Sequence, residues 1–215
     1  MIRGQCGINK DFCEYKLGPS KNPGTSPPNT NGCVMNCGTD IVNNDSGPSS
    51  YQRVGYYESW NWDRPCLHMR ADRANTIGYT HIHWAFATIQ DGTWAVEIND
   101  TYKQWDKFKS VQNVKHIVSF GGWGYSTEPA TYDILRKAMN PANRDAFVNA
   151  IVSFVDTEGI EGVDIDWEYP GAPDIPGIPA GLESDGPNYL KFLTTLKEKL
   201  PSEKSLSIAA PASYW

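Results

Sequence analysis

The decapeptide EGVDIDWEYP, residues 161–170, determines how the rest of this sequence is interpreted. Residues two apart in a strand lie on one face, so Asp164, Asp166 and Glu168 form a row of carboxylates. The opposite face is apolar and consists of Val163, Ile165 and Trp167. Neighbouring carboxylates in the row are ~7 Å apart, because a strand rises ~3.3 Å per residue. Such a row does not stabilise a sheet, and it therefore indicates a functional site.

Carboxylates this close together affect one another's protonation. In a poorly solvated site, like charges force at least one group to hold a proton near neutral pH, and a carboxylic acid in that state can protonate a leaving group. Glu168 is last in the row and therefore nearest the carboxyl end of the strand, where parallel sheets place their chemistry. The alternatives are an acidic strand facing solvent, which would lack the apolar face, and a calcium loop, which would contain more glycine, asparagine and oxygen ligands.

The stretch resembles the D-G-x-D-x-D-x-E signature of glycoside hydrolase family 18, the chitinases, with Glu161 in place of the first aspartate. Glu161 has the opposite strand parity from the row of carboxylates, so we expect it not to line the site. A second signature of that family, S-x-G-G, is matched on the preceding predicted strand by Ser119, Gly121 and Gly122. Residues 122–127 further resemble the fungal, killer-toxin-like group of these chitinases.

The resemblance implies a (β/α)8 barrel that hydrolyses β-1,4 links between N-acetylglucosamine units of chitin or chitooligosaccharides, with no metal or organic cofactor. It implies that Glu168 is the general acid and base, that Asp166 orients the substrate acetamide, and that Asp164 tunes the charge on Asp166. The acetamido oxygen of the substrate itself would attack the anomeric carbon. The resemblance also implies five residues in contact with the substrate, namely Tyr56, Trp123, Tyr169, Gly121 and Gly122.

Two other functions are compatible with the same resemblance. A chitin-binding lectin without catalysis is one, although lectins of this family typically lose the acid or an aspartate, and this chain has all three carboxylates. An inactive, truncated product is the other.

Apolar runs alternate with helical patterns from residue 51 onward, which predicts βαβ units and a parallel sheet. The predicted strands are 53–59, 80–87, 115–120, 162–168 and 206–212. The predicted helices are 66–76, 102–111, 129–139, 143–158 and 188–200. A (β/α)8 barrel needs eight strands and about 250 residues. We therefore expect an incomplete barrel of about the first five βα units, with little or no activity in the 215-residue chain alone.

The first part of the chain has a different composition, and we predict three segments: residues 1–40, a linker at 41–50, and the family 18 catalytic domain, truncated, at 51–215. Four of the five cysteines lie in the first 37 residues, and their spacing resembles the second half of a hevein-type chitin-binding module. That resemblance implies a disulfide between Cys33 and Cys37 and a sugar-stacking role for Phe12. A disordered, cysteine-bearing tail is the alternative, and the partners of the remaining cysteines stay open.

Charge and hydropathy exclude several classes of partner. The formal net charge of −6 and the pI of about 5.2 argue against nucleic acid and anionic membranes. No apolar run approaches ~18 residues, so no membrane span is expected. The clustered cysteines are typical of an oxidising compartment, and with the family resemblance they predict an extracellular, secreted protein. Residues 1–4 contain no apolar signal region, and we expect a secretion signal to precede the chain.

A metal site is the remaining possibility suggested by composition. His81 and His83 share one face of the second predicted strand, as a pair of metal ligands would. No third ligand is spaced nearby, and buried barrel positions accept a hydrogen-bonded histidine. We therefore predict no metal.

Overall fold

The computed structural model describes residues 16–17, 23–25 and 49–211. The chain divides into two compact units, Met1–Tyr51 and Gln52–Trp215. In the first unit, β1 (Lys16–Leu17) pairs antiparallel with β2 (Pro23–Thr25). Phe12, Cys33 and Cys37 lie outside the described residues, so the chitin-binding module and its disulfide stay predictions.

The second unit is built on one sheet. Its six strands are β3 (Val54–Glu58), β4 (His81–Ile89), β5 (Val96–Ile98), β6 (Lys115–Gly121), β7 (Gly162–Asp166) and β8 (Ser205–Ile208). Five of them are parallel and pair in chain order, β3-β4-β6-β7-β8, while β5 pairs antiparallel with the end of β4. Parallel strands in unbroken chain order are typical of a (β/α)8 barrel, whereas a doubly wound sheet reverses its order. The predicted parallel sheet, with five strands in chain order, is confirmed.

The strand ends differ from the predicted ones, and one difference changes the site. β7 ends at Asp166 rather than at residue 168, so Glu168 lies in the loop beyond the strand. β8 covers residues 205–208 rather than 206–212, and β4 extends to Ile89. The row of three carboxylates therefore begins inside the sheet and ends at its rim.

The short strand β5 was not predicted. It returns along β4 with Thr88 opposite Glu97, after a turn that contains Asp91 and Gly92. Gly92 has a φ of 85°, which glycine adopts without strain. An Asp-Gly pair between apolar runs is a hairpin signal, and this one was overlooked.

Helices cover the outer face of the sheet. They are α1 (Trp105–Lys109), α2 (Trp123–Thr127), α3 (Ile134–Met139), α4 (Arg144–Glu158) and α5 (Asp185–Lys199). In α4, Phe147, Ile151 and Val155 are buried at intervals of four residues, which forms the apolar stripe of an amphipathic helix. Gly159 ends α4 in the left-handed conformation and donates its N–H to Val155 O at 3.1 Å. Within the described residues, no helix is long and apolar enough to cross a membrane.

The core between sheet and helices contains a cluster of aromatic rings. Phe147 of α4 stacks on Phe192 of α5 with ring centroids 5.1 Å apart, and Phe120 of β6 meets Phe147 edge-on at 6.2 Å. All three rings are fully buried. Such aromatic pairs add about 0.5–1.5 kcal/mol beyond the burial of their area. This packing fixes α4 and α5 on the outer face, so that the ends of β6 and β7 are rigidly placed.

The helix predicted at residues 66–76 is wrong. This stretch contains only one 3-10 turn, Ala71–Arg73, and another precedes it at Asn61–Asp63. Leu67 is 85% exposed with a φ of 63°, and Met69 is also exposed. Side chains two positions apart do not share a helix face, so these two residues could not form a buried stripe, and Ala71 alone is buried.

Candidate active site

The three carboxylates lead from the middle of β7 to the carboxyl end of the sheet. Asp164 is in the middle of β7 and is 1% exposed, whereas Asp166 and Glu168 are partly buried at the rim. The side chains therefore step outward from the core of the sheet toward the open end. Glu168 is the outermost of the three carboxyl groups.

Asp164 is held by hydroxyl groups from three other strands. Its Oδ2 accepts the Ser119 hydroxyl at 2.7 Å and the Tyr56 phenol at 2.8 Å, and its Oδ1 accepts the Ser207 hydroxyl at 2.6 Å. Ser119 and Ser207 are the residues paired with Asp164 on β6 and β8, so the strand register creates the cluster. His83 Nδ1 of β4 lies 3.5 Å from Asp164 Oδ2, at the limit of hydrogen-bond distance.

These donors keep Asp164 ionised despite its burial. Burial raises the pKa of Asp164, but the contacts with His83, Ser207 and Ser119 lower it by more, so the pKa lies below its ordinary value. Burial and the Asp164 carboxylate also raise the pKa of Tyr56, which keeps the phenol protonated as a donor. A fixed negative charge therefore lies directly beneath Asp166.

The pKa of Asp166 is shifted in the opposite direction. Burial, the charge of Glu168 and the charge of Asp164 together raise the pKa of Asp166 from 3.8 to about 7. The sequence predicts that at least one carboxyl group of the row holds a proton near neutral pH, and the group with the raised pKa is Asp166 rather than the outermost member of the row. The site thus places a proton-bearing carboxyl between a buried anion and a rim carboxyl.

Glu168 is positioned by α2, a helix that was not predicted. Its backbone N–H donates to the hydroxyl of Ser126, which is 3% exposed, at 3.1 Å. Tyr125 joins α2 to the end of β4, because its hydroxyl donates to Ile89 O at 3.1 Å and accepts the Ile89 N–H at 3.2 Å. The backbone of Glu168, the general-acid candidate, is therefore connected through α2 to the end of β4.

The two glycines of the S-x-G-G motif are required by contacts within the protein. Gly121 has a φ of 112°, and a Cβ there would collide with the carbonyl oxygen of Asp166. Gly122 has a φ of 89°, and a Cβ there would lie 2.6 Å from the ring of Phe86. The N–H of Gly122 donates to Asp166 O at 2.8 Å. These contacts let β6 turn into α2 directly against the end of β7.

Aromatic side chains line the open end of the sheet. Trp123, at the start of α2, is 54% exposed and meets Tyr169 edge-on with ring centroids 6.5 Å apart. Tyr56, 46% exposed, lies 4.9 Å from the His83 ring, also edge-on. The structure therefore brings the predicted contact residues of the catalytic domain to one rim.

Glu161 and His81 lie away from this rim, whereas His83, the other member of the predicted histidine pair, lies next to Asp164. Glu161 precedes β7, and its Oε2 accepts the backbone N–H of His116 at 2.7 Å. His81 Nδ1 lies 2.8 Å from the Thr80 hydroxyl. In the part of the chain that the structure describes, no cluster of three His, Cys, Asp or Glu side chains could hold a metal ion.

Four side chains of the site are not predicted by the sequence. Ser119 is part of the S-x-G-G motif, but neither it nor Ser207, Ser126 or His83 is predicted to contact a carboxyl group or the backbone of the acidic row. The signal for Ser119 and Ser207 was register, since residues level with Asp164 on neighbouring parallel strands must face the same side. Ser126 had no comparable signal, because its place depends on how α2 folds back.

The acidic groups and exposed aromatic rings lie at the carboxyl edge of a parallel barrel sheet, which is where barrel enzymes carry their active sites. The chain belongs to glycosyl hydrolases family 18, whose family profile matches residues 52–215.

Similar proteins include a "Secreted chitinase LysM12" from Penicillium expansum, 45% identical over 99% of this chain and 14% of that protein. The "Killer toxin subunits alpha/beta" of Kluyveromyces lactis are 41% identical over 99% of this chain and 18% of theirs. Among solved structures, catalytic domain 2 of the Ostrinia furnacalis Group II chitinase superposes with a TM-score of 0.65 at 28% identity. That match covers 74% of this chain and 43% of the other. The chain thus spans less than a fifth of the two curated relatives named.

Proposed function

We propose that this chain forms part of the catalytic domain of a chitinase that hydrolyses β-1,4 links between N-acetylglucosamine units by a substrate-assisted, retaining mechanism. The observation that carries the proposal is the stepped row of carboxyl groups: a buried anion at Asp164, a raised pKa at Asp166, and Glu168 at the rim. Divergent pKa values in adjacent carboxyl groups are typical of glycosidase sites.

In the first step, Glu168 protonates the glycosidic oxygen and the bond to the leaving sugar breaks. The acetamido oxygen of the substrate attacks the anomeric carbon and forms a cyclic oxazolinium intermediate. Asp166 orients the acetamide and stabilises the positive charge on its nitrogen. Water then opens the ring with Glu168 as base, so the configuration is retained.

Asp164 acts from beneath by electrostatics. Its negative charge is fixed by Ser119 and Ser207, and it raises the pKa of Asp166. Asp166 consequently holds a proton near neutral pH. Transfer of that proton to the Glu168 carboxylate makes Glu168 the acid that protonates the glycosidic oxygen, and it leaves Asp166 negatively charged beside the developing positive charge of the acetamide. Preorganised charge of this kind is usually the largest contribution to rate enhancement.

The substrate would lie along the exposed aromatic rim. The rings of Trp123 and Tyr169 offer apolar faces for sugar rings next to Glu168. Tyr56 contributes from β3, on the far side of Asp164. Gly121 and Gly122 would contact the sugar at this rim through backbone atoms. The ligand we propose is chitin or a chitooligosaccharide.

We further propose that the protein acts outside the cell. The similar protein from Penicillium expansum is named a secreted chitinase. Disulfide formation in the cysteine-rich first segment would fit that location.

The decisive experiment compares two oligosaccharides that differ only in the acetamide. Release of reducing ends is measured for the complete gene product with chitohexaose and with its fully deacetylated counterpart. The substrate-assisted mechanism predicts turnover of chitohexaose and at least a hundredfold less of the deacetylated sugar, which lacks the nucleophile. Binding of chitohexaose without release of reducing ends would instead identify a lectin, and equal cleavage of both sugars would exclude substrate assistance.

A further inference from the structure

The loop that follows Glu168 is closed at its neck by a buried carboxylate. Asp185, the first residue of α5, is 1% exposed. Its Oδ2 accepts the backbone N–H of Gly171 at 3.2 Å and the backbone N–H of Leu182 at 2.9 Å. Gly171 and Leu182 stand at the two ends of loop 171–182, so a single oxygen atom joins both ends.

The neck of the loop is also packed backbone to backbone. Gly181 donates its N–H to Ala172 O at 2.7 Å. A Cβ at Gly181 would collide with the backbone of Gly171, so no larger residue fits there. The two ends are therefore in direct contact, while the residues at the tip, such as Asp174, are exposed.

The charge of Asp185 is balanced by a cation from another helix. Arg136 Nε of α3 lies 3.0 Å from the same Oδ2, and its side chain is only 16% exposed. A buried carboxylate left without a partner is strongly destabilising, so Arg136 is what allows an ionised group at this position. Hydrogen bonds to an ionised acceptor are also stronger than neutral ones. The ion pair thus links α3, α5 and both ends of the loop.

This junction lies three residues from the general-acid candidate. The N–H of Glu168 is held by Ser126 of α2, and the N–H of Gly171 is held by Asp185 of α5. Segment 168–171 is therefore fixed at both ends by buried side chains from two different helices. Release of either end would leave Glu168 attached on one side only.

We propose that Asp185, paired with Arg136, is a positioning residue that holds segment 168–171 in place by closing loop 171–182. It acts on Glu168 through the backbone and does not contact substrate. The catalytic consequence rests on the proposed function, whereas the structural consequence does not. Displacement of a reacting group by about 1 Å is enough to cost a hundredfold in rate.

The first test follows backbone amide hydrogen exchange in the complete gene product. Asp185→Asn removes the charge without changing the shape, and Asp174→Asn makes the same chemical change at the exposed loop tip. We expect Asp185→Asn to raise exchange at Gly171, Leu182 and Glu168 at least tenfold, and Asp174→Asn to leave all three within twofold. Unchanged exchange in Asp185→Asn would overturn the proposal, whether or not the protein is active.

The second test is kinetic and uses the same two variants. Because Asp185 acts on placement rather than on binding, kcat on chitohexaose should fall at least tenfold in Asp185→Asn with KM changed less than threefold. Equal kcat in Asp185→Asn and Asp174→Asn would contradict the catalytic part. A wild-type protein without any turnover would refute the proposed function alone, since the exchange test still decides the role of Asp185.

A double variant keeps the proposal testable if Asp185→Asn alone does not fold. If Asp185→Asn does not fold because Arg136 is left unpaired, Arg136→Gln combined with Asp185→Asn removes both charges together. We expect this protein to fold and still to show at least tenfold faster exchange at Gly171 and Leu182, since a neutral amide is a weaker acceptor. Protection equal to that of the wild type in the double variant would overturn the proposal.

Discussion

The α-carbon of Gly121 faces the carbonyl oxygen of Asp166 so closely that no side chain fits between them. The next residue, Gly122, donates its N–H to that same oxygen at 2.8 Å. β6 and β7 thereby meet at the point where the sheet ends and the site begins. The S-x-G-G signature is thus explained by packing within the protein, and this explanation can be tested separately from any contact with sugar.

We expect Gly121→Ala to lower the free energy of unfolding by about 2–5 kcal/mol. The φ of 112° is unfavourable for alanine by roughly 1–2 kcal/mol, and the collision with Asp166 adds about 1–3 kcal/mol of overpacking. Gly177→Ala is the matched control, because its φ is 87° and nothing lies within 4 Å of the added Cβ. Urea denaturation measures both, and equal losses in the two variants would show that backbone conformation alone matters.

The hydroxyl of Ser119 is predicted to stabilise the protein through the charge of Asp164. Ser119→Ala should lower the free energy of unfolding at pH 7 by about 1.5–3 kcal/mol, as expected for a hydrogen bond to a charged group. The pKa of Asp164 is depressed, so this stabilisation is present at neutral pH and is lost as pH falls through that pKa. The loss should therefore shrink when the pH is lowered well below 3.8, the ordinary value for an aspartate.

Ser153→Ala is the control, because Ser153 is an exposed residue of α4. It should change stability by less than about 0.5 kcal/mol at either pH. A loss in Ser119→Ala that stays the same as the pH is lowered from 7 until the carboxylates of the protein are protonated would show that the hydroxyl does not act through the Asp164 charge.

The stability that Asp166 contributes should have the opposite pH dependence. Its folded pKa of about 7 lies above the ordinary value of 3.8, so the folded state binds an extra proton between these values. Stability from this group is complete below the lower value and is lost as pH rises through about 7. Asp166→Asn cannot ionise, so its stability relative to wild type should increase from pH 4 to pH 8. Parallel curves for the two proteins would contradict the raised pKa, and Asp174→Asn serves as the exposed control.

Turnover should distinguish two acidic positions of the motif, Asp166 and Glu161. Asp166→Asn should lower kcat on chitohexaose at least a hundredfold, because it removes the group that orients the acetamide. Glu161→Asp should change kcat less than threefold, since Glu161 caps the His116 N–H before β7 begins. Reducing-end assays on both variants measure this difference. A comparable loss in Glu161→Asp would mean that the strand face on which a residue lies does not determine whether turnover depends on it.

The sequence was sufficient for the parallel sheet and for α4 because both depend on local patterns. Val163 and Ile165 alternate with the acidic row, and the stripe of α4 ends at Gly159, whose left-handed φ was foreseeable. The helix at 66–76 failed because Leu67 is exposed rather than packed. Local sequence preferences do not show which apolar side chains will pack against others in the folded protein.

The limits at the site have a different cause. Asp164, Asp166 and Glu168 are close in sequence, so strand parity alone predicts the row. Asp185 and Ser126 reach the same segment from 14 and 42 residues away, through helices whose placement is decided by packing. The raised pKa of Asp166 likewise depends on burial as well as on its charged neighbours. In the sequence, only the short run of strand residues after Gly162 indicates that burial.

The central claim, that Glu168 is the general acid, is tested most directly by Glu168→Gln in the complete gene product. The amide keeps the shape of the side chain but cannot donate an acidic proton. We predict that kcat on chitohexaose falls by about 10²–10⁴-fold, the usual contribution of general acid catalysis, while the dissociation constant for chitohexaose changes less than threefold. A variant that keeps more than about a tenth of wild-type turnover would contradict the claim.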